Sequence, residues 1–222
     1  GCNLILSTGM STLTEVEDAL SILAFGFLNA NDISPERSFF KQAYCSIKGR
    51  KLLKDKVILL HCTTEYPAPL EEINLNAMLT MRTKFGLRIG YSDHSEGIIV
   101  PIAATAMGAV LIEKHFTLDK TLPGPDHKAS LEPNELNDMV KAVRAVEQSM
   151  GSNLKIPAPS ELKNIPIARK SLVAAKNIKI GEEFTKNNMT VKRPGIGISP
   201  MKYWDTIGSI AQKDFYKDEV IK

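Results

Sequence analysis

The stretch Val57-Ile58-Leu59-Leu60-His61-Cys62-Thr63-Thr64 decides the fold. Four apolar residues in succession suit a strand buried on both faces, as parallel sheets bury theirs. The run then turns polar within one residue. In parallel α/β barrels the chemistry lies at the carboxyl ends of the strands, and this strand ends in His, Cys and two Thr.

The same unit recurs on either side. Upstream, Leu4-Ile5-Leu6 ends in Ser7-Thr8, and Thr12 with Glu15 three residues later predicts a capping box. Val16, Leu20 and Leu23 continue that helix at helical spacing. Ser34-Pro35-Glu36 marks another helix start. Downstream, Tyr66-Pro67 and Pro69 mark a loop, and residues 74–84 have helical spacing. Leu87-Arg88-Ile89-Gly90-Tyr91 is a third strand ending in Ser92-Asp93-His94. Residues 98–107 form an apolar helix, 109–113 a fourth strand ending near His115, and 134–150 a helix closed by Gly151. Four strand–helix repeats predict an α/β fold of parallel strands with right-handed crossovers, half of a (β/α)8 TIM barrel. Phe25-Gly26-Phe27 and Phe39-Phe40 predict an extra helix on the barrel wall.

Residues 152–167 turn polar, carry Pro157 and Pro159, and read as a linker between a domain at 1–151 and one at 168–222. The latter has short apolar runs at 171–175, 178–180 and 219–221, punctuated by Gly and Asn, which is the pattern of a small β-rich domain.

The 222 residues are 43% hydrophobic and 24% charged, ordinary for a soluble globular protein. A net charge of +3 with no concentrated basic run gives no argument for nucleic acid, and residues 48–56 read as a solvated helix face. No apolar run reaches membrane-spanning length, so no membrane is expected. Cys2, Cys45 and Cys62 lack CxxC spacing, which argues against a disulfide framework and points to a reducing cytoplasm. The chain opens on Gly1-Cys2-Asn3 and passes at once into a strand, so it reads as cut.

His61, His94 and His115 fall at strand ends, and His127 lies in the loop beyond. A lone histidine reads as hydrogen-bonded structure. Two at one barrel mouth suit Mn, Zn, Fe or Co, with Asp93, Glu113 and Asp126 shifting the preference to harder ions. Spacing alone leaves both readings level. Gly124-Pro125-Asp126-His127 is either a plain turn or a loop setting Asp126 over the mouth. Lys192-Arg193-Pro194-Gly195 is either a solvated loop or a clamp for an anionic or polyhydroxylated ligand. Ser7-Thr8-Gly9 before a helix suits a phosphate or a simple cap.

Seven stretches in this order resemble the N-acetylneuraminate synthase family, which also makes legionaminic acid. They are ILSTGM (5–10), LLHCTTEYP (59–67), GYSDH (90–94), EKHFTLDK (113–120), GPDHKASLEP (124–133), VKRPG (191–195) and GISP (197–200). The resemblance spans nearly the whole chain. It implies a TIM barrel followed by an antifreeze-like (SAF, β-clip) domain. It also implies condensation of phosphoenolpyruvate with an N-acetylated amino sugar, giving a nonulosonic acid and phosphate. The sugar would be N-acetylmannosamine or a 2,4-diacetamido-trideoxy hexose. By the same resemblance His94 and His115 bind a divalent metal, Mn2+ or Mg2+. Ser7, Thr64 and Ser92 hold phosphoenolpyruvate, and Tyr66 binds the sugar. Asp126 is an active-site aspartate near metal and sugar. Arg193 reaches from the small domain into the partner's active site in a domain-swapped homodimer. Thr64 departs from the family's usual Asn, keeping a donor and losing the amide.

The family's first four strand–helix units and its S-G-E motif have no counterpart here, so the chain alone is expected to be catalytically incompetent. Two other readings compete. A non-catalytic carbohydrate-binding module would be free to lose His94, His115 and Asp126, all of which are present. Another metal-dependent barrel enzyme would use a carboxylated or Schiff-base lysine inside the barrel. Lys114 alone lies close to a strand end, and strand alternation turns it away from the mouth if His115 points in.

Overall fold

Each apolar run of the first unit forms a strand: β1 (Leu4–Ser7), β2 (Val57–Cys62), β3 (Arg88–Asp93) and β4 (Ile112–Lys114). This computed structural model describes residues 2–29 and 34–222. The strands lie in the order β1-β2-β3-β4, and every neighbouring pair is parallel. Strand order that follows chain order, without reversal, is the order of a barrel and lacks the switch point of a doubly wound sheet. The helices between them are α1 (Leu13–Asn29), α2 (Arg37–Cys45), α3 (Ile47–Lys56), α4 (Asn76–Phe85) and α5 (Ile99–Ala106), and α6 (Pro133–Met150) follows β4.

Alternation sorts the sheet into two faces. Val57, Leu59, Ile89 and Tyr91 face the helices and are 0% exposed. They pack with Leu20, Leu53, Met78 and Phe85 in one core, each such side chain contributing roughly 1.5–3 kcal/mol by burial. The extra helix expected near Phe39-Phe40 is α2. It packs on α1 through Phe25, whose ring lies 6.5 Å from Phe39 and 5.2 Å from Phe40.

The fourth strand begins later than its apolar run suggests, because Ala109 N–H still bonds Ala104 O (2.9 Å) and closes α5. Val110 and Leu111 bond β3 before the regular strand starts. The capping box at α1 is present: Thr12 N–H donates to Glu15 Oε2 (2.7 Å), and Glu15 N–H to Thr12 Oγ1 (3.3 Å). These bonds hold the Glu15 carboxyl below its ordinary pKa. Thr12→Ala is therefore expected to lower the stability of this unit by about 1 kcal/mol, read from urea melts.

The chain divides into compact units Gly1–Ser152 and Asn153–Lys222. The stretch read as a linker carries two short helices, α7 (Pro159–Leu162) and α8 (Ile165–Ala168). Pro159 and Pro166 lie in their first turns, where proline starts a helix instead of breaking one. Beyond them β5 (Ser171–Ala174) and β6 (Met189–Lys192) pair antiparallel, and α9 (Tyr203–Thr206) follows. Single bridges join Val173 to Val220, which brings the 219–221 run to the small sheet, and Ile178 to Phe215 outside it. Leu172, Ile178, Phe184, Phe215 and Ile221 form its core. Gly197 passes against the last residues of the chain, where a Cβ would lie 2.4 Å from Ile221 O.

A candidate active site at the strand ends

Register decides which polar residues share a face. Cys62 pairs with Ser92, and Ser92 with Glu113, so these three point away from the helices. Thr64, His94 and His115 continue the same parity just beyond the strands. His61 and Lys114 have the opposite parity. His61 Nε2 lies 2.7 Å from Ile73 O and is a structural residue on the helix side. Lys114 bonds Asp93 (2.7 Å) on that side as well, with side-chain exposures of 3% and 0%. The alternation expected from His115 is thus the one observed, and Lys114 is no candidate for a barrel-interior lysine. His127 Nδ1 lies 2.7 Å from Thr117 Oγ1 and ties down its own loop.

His94 and His115 come together with ring centroids 5.2 Å apart. Tyr66 lies over both, 4.2 Å from the His94 ring and 5.4 Å from that of His115. Asp126 Oδ2 is 3.8 Å from His115 Nδ1. Four of the residues implied by the resemblance therefore form one cluster. Ser92 joins it: its hydroxyl is 3.5 Å from His94 Nε2 and donates to Glu113 Oε1 at 2.6 Å. Ser7 lies exposed at the end of β1, paired with Leu60 in register. Thr64 is exposed, and the Gly9 backbone packs against it, with Thr64 Oγ1 2.3 Å from where a Cβ would stand. Arg193 belongs to the second unit, precedes a cis peptide to Pro194, and donates its Nε–H to Ala168 O (3.0 Å). Its neighbour Lys192 is paired with Asp218 on the surface.

The His94 ring is pinned. Its Nδ1 lies 2.7 Å from Thr63 O. A carbonyl only accepts, so the proton sits on Nδ1 and the Nε2 lone pair faces the cluster. A carbonyl that holds one ring nitrogen in this way orients the other toward an ion, as around metal-binding imidazoles. The surroundings suit a cation too. Tyr66 has its pKa raised by partial burial first, then by Cys62, Asp126 and Glu113, so it stays a neutral phenol. Burial pushes the Cys62 thiol up, against the opposing pull of the Thr8 and Gly9 amides. Among the described residues no group of three or more His, Cys, Asp or Glu is arranged to hold a metal ion. The donors present fit an ion held by two imidazoles with its other positions left to water or substrate oxygens.

Cys62 is a site neighbour that motif reading did not assign, and Glu113, counted there only as a nearby carboxylate, is the partner of Ser92. Parity would have found both: Cys62 alternates with Thr64 and Glu113 with His115.

The NeuB family model matches residues 1–155 and the SAF domain model residues 169–222. N,N'-diacetyllegionaminic acid synthase of Campylobacter jejuni is 48% identical over 219 residues, covering 99% of this chain and 58% of that protein. The enzyme of the same name from Legionella pneumophila is 39% identical over 206 residues, covering 93% of this chain and 52% of that one. A crystal structure of N-acetylneuraminic acid (sialic acid) synthetase from Leptospira borgpetersenii, 36% identical, superposes with a TM-score of 0.56 over 73% of this chain and 48% of that one. The chain thus spans between half and three-fifths of the length of the curated relatives described. With a half-barrel of parallel strands, paired imidazoles at their ends and a SAF domain later in the sequence, this chain belongs to the NeuB family.

Proposed function

We propose that the chain is the carboxyl-terminal part of a synthase that joins phosphoenolpyruvate to an N-acetylated amino sugar, releasing phosphate and forming a nonulosonic acid. One observation carries this reading beyond family membership. His94 and His115 converge at adjacent strand ends, with His94 fixed in the tautomer that offers Nε2. These two residues would hold a divalent ion, Mn2+ or Mg2+, which when bound polarises the open-chain aldehyde of the sugar.

The chain's own side chains supply the rest. Tyr66, neutral and 39% exposed, offers its hydroxyl to the sugar across the two imidazoles. Asp126, beside His115, accepts from a sugar hydroxyl and orients the aldehyde. Ser7 and Thr64 donate to the carboxylate or phosphate of phosphoenolpyruvate. Ser92 has a single hydroxyl proton, now given to Glu113, and turns it to the substrate on binding. Arg193, its Nε–H held by Ala168 O, extends its Nη groups to the sugar in the partner's site of a domain-swapped dimer.

Legionaminic acid precursors of the 2,4-diacetamido-trideoxy class are favoured as substrate by the two relatives of highest quoted identity named for that product, with N-acetylmannosamine the alternative. Phosphate release from phosphoenolpyruvate with Mn2+ tests the reading. The chain is assayed alone and with the amino-terminal half of a relative, against each sugar. Sugar-dependent release only after complementation is expected. No release in the complemented enzyme with either sugar would overturn it, and release from the chain alone would overturn the expected incompleteness.

A sharper test lies at Gly9. In Gly9→Ala the new methyl would collide with Thr64 Oγ1 and crowd Cys62 Sγ at 3.0 Å. The KM for phosphoenolpyruvate is expected to rise about 10- to 100-fold, the worth of one hydrogen bond to a charged group. The KM for the sugar should stay within about twofold.

A further inference from the structure

We infer that the buried Asp93–Lys114 pair is a positioning clamp that sets the spacing of His94 and His115 from behind the sheet. The inference rests on the reading of those histidines as metal ligands. Asp93 and Lys114 are partners in the register of β3 and β4, and each immediately precedes one of the histidines. Asp93 Oδ2 accepts from Lys114 Nζ at 2.7 Å, and both side chains are buried on the helix side. Asp93 Oδ1 accepts from Ser95 N–H (3.0 Å) and Ser95 Oγ–H (2.7 Å), closing a turn around His94. Lys114 also donates to Ser95 O. One ammonium group therefore grips the residues on both sides of His94 while its own backbone leads into His115.

Beyond the ring contacts of His94 with Thr63 O and Ser92 Oγ and of His115 with Asp126, the two histidines are held by backbone contacts. His94 O accepts from Ala68 N–H (2.9 Å), and His115 O from Leu131 N–H (2.9 Å). None of these links β3 to β4; the Ser92–Glu113 bond does, one residue earlier and on the opposite face. The regular pairing of the two strands ends at Asp93–Lys114, so the clamp is the last cross-strand tie before the chains part toward the site. A buried ion pair is a weak source of stability but a strongly directional one, since either partner is penalised for leaving. Its use here is geometric: the imidazoles must sit within a fraction of an ångström to share an ion.

The test separates positioning from folding. In Asp93→Asn/Lys114→Met both charges go together, Asn keeps the turn to Ser95, and Met fills the lysine's volume. Titration of the full chain with Mn2+, by calorimetry and by loss of the free-ion EPR signal, is compared with thermal unfolding of the metal-free form. The clamp predicts a folded double variant whose Mn2+ affinity falls about 10- to 100-fold, the usual effect of removing a partner that orients a ligand. Wild-type affinity in the folded double variant would overturn it. Should that variant not fold, Lys114→Arg replaces it, keeping the charge but lengthening the bridge, and unchanged affinity there would overturn the clamp equally. His94→Ala is run beside them. If it binds Mn2+ as wild type does, the ligand reading itself has failed and the clamp falls with it.

Discussion

Lys114→Met is expected to destabilise the first unit by about 3–5 kcal/mol, the loss that follows when one partner of a buried ion pair is removed. Asp93 is 0% exposed and has no route to water. Without the ammonium it keeps the Ser95 amide and hydroxyl on one oxygen, and loses its bond on the other. Methionine matches the lysine stem in length, so no cavity accounts for the effect. The Asp93 charge also acts on its surroundings: with burial as the larger cause, it raises the pKa of the Tyr91 hydroxyl, which is itself buried. Since small domains hold roughly 5–15 kcal/mol in all, the variant should be partly unfolded or melt far below the parent. Urea titration followed by far-ultraviolet circular dichroism reads the difference. Recovery of most of it in Asp93→Asn/Lys114→Met would identify the uncompensated carboxylate as the cause. A loss under about 1 kcal/mol in the single variant would mean that the pair behaves as a solvated one.

That pair also marks how far the sequence could be read. The strands were legible because buried parallel strands are continuous apolar runs, and Val57 to Leu60 is such a run. The direction of Lys114 was legible as well, because alternation binds it to that of His115. What alternation could not say was what Lys114 meets on the far side, since its partner lies on another strand and depends on register. The same limit hid the partner of Glu113: its alternation with His115 was legible, but the Ser92 hydroxyl that it meets depends on register. His61 and His94 stand at equivalent-looking strand ends, and only parity against the sheet separates a structural residue from a site residue. The two short helices around Pro159 and Pro166 were not legible for a local reason: proline marks the first turn of a helix as readily as a break, and four-residue helices are too short for periodicity to register. The role of Thr64 came from resemblance alone, and those of Ser7 and Arg193 were decided by it, because the pattern suited a plain cap or a solvated loop equally well.

The contrast between His61 and His94 gives the second large effect. In the complemented synthase, His94→Ala is expected to lower metal-dependent phosphate release by about 10^2- to 10^4-fold, since Lewis-acid polarisation is worth several kcal/mol and each 1.4 kcal/mol is tenfold. His115 would then hold the ion by a single imidazole, with Asp126 as the nearest carboxylate. Tyr66 would also lose the ring it rests on, 4.2 Å away, so sugar binding should weaken together with turnover. His61→Ala removes the same side chain one strand away, where it bonds Ile73 O and lies beside the Tyr91 ring behind the sheet. It should cost about 1 kcal/mol of stability and leave the Mn2+ requirement as it was. Rates measured across a Mn2+ titration for both variants decide the matter. If high Mn2+ restores His94→Ala fully, the residue tunes affinity and the second imidazole suffices for chemistry. If His61→Ala alters the metal dependence as strongly as His94→Ala, the assignment of faces by strand parity is wrong, and with it the placement of the site.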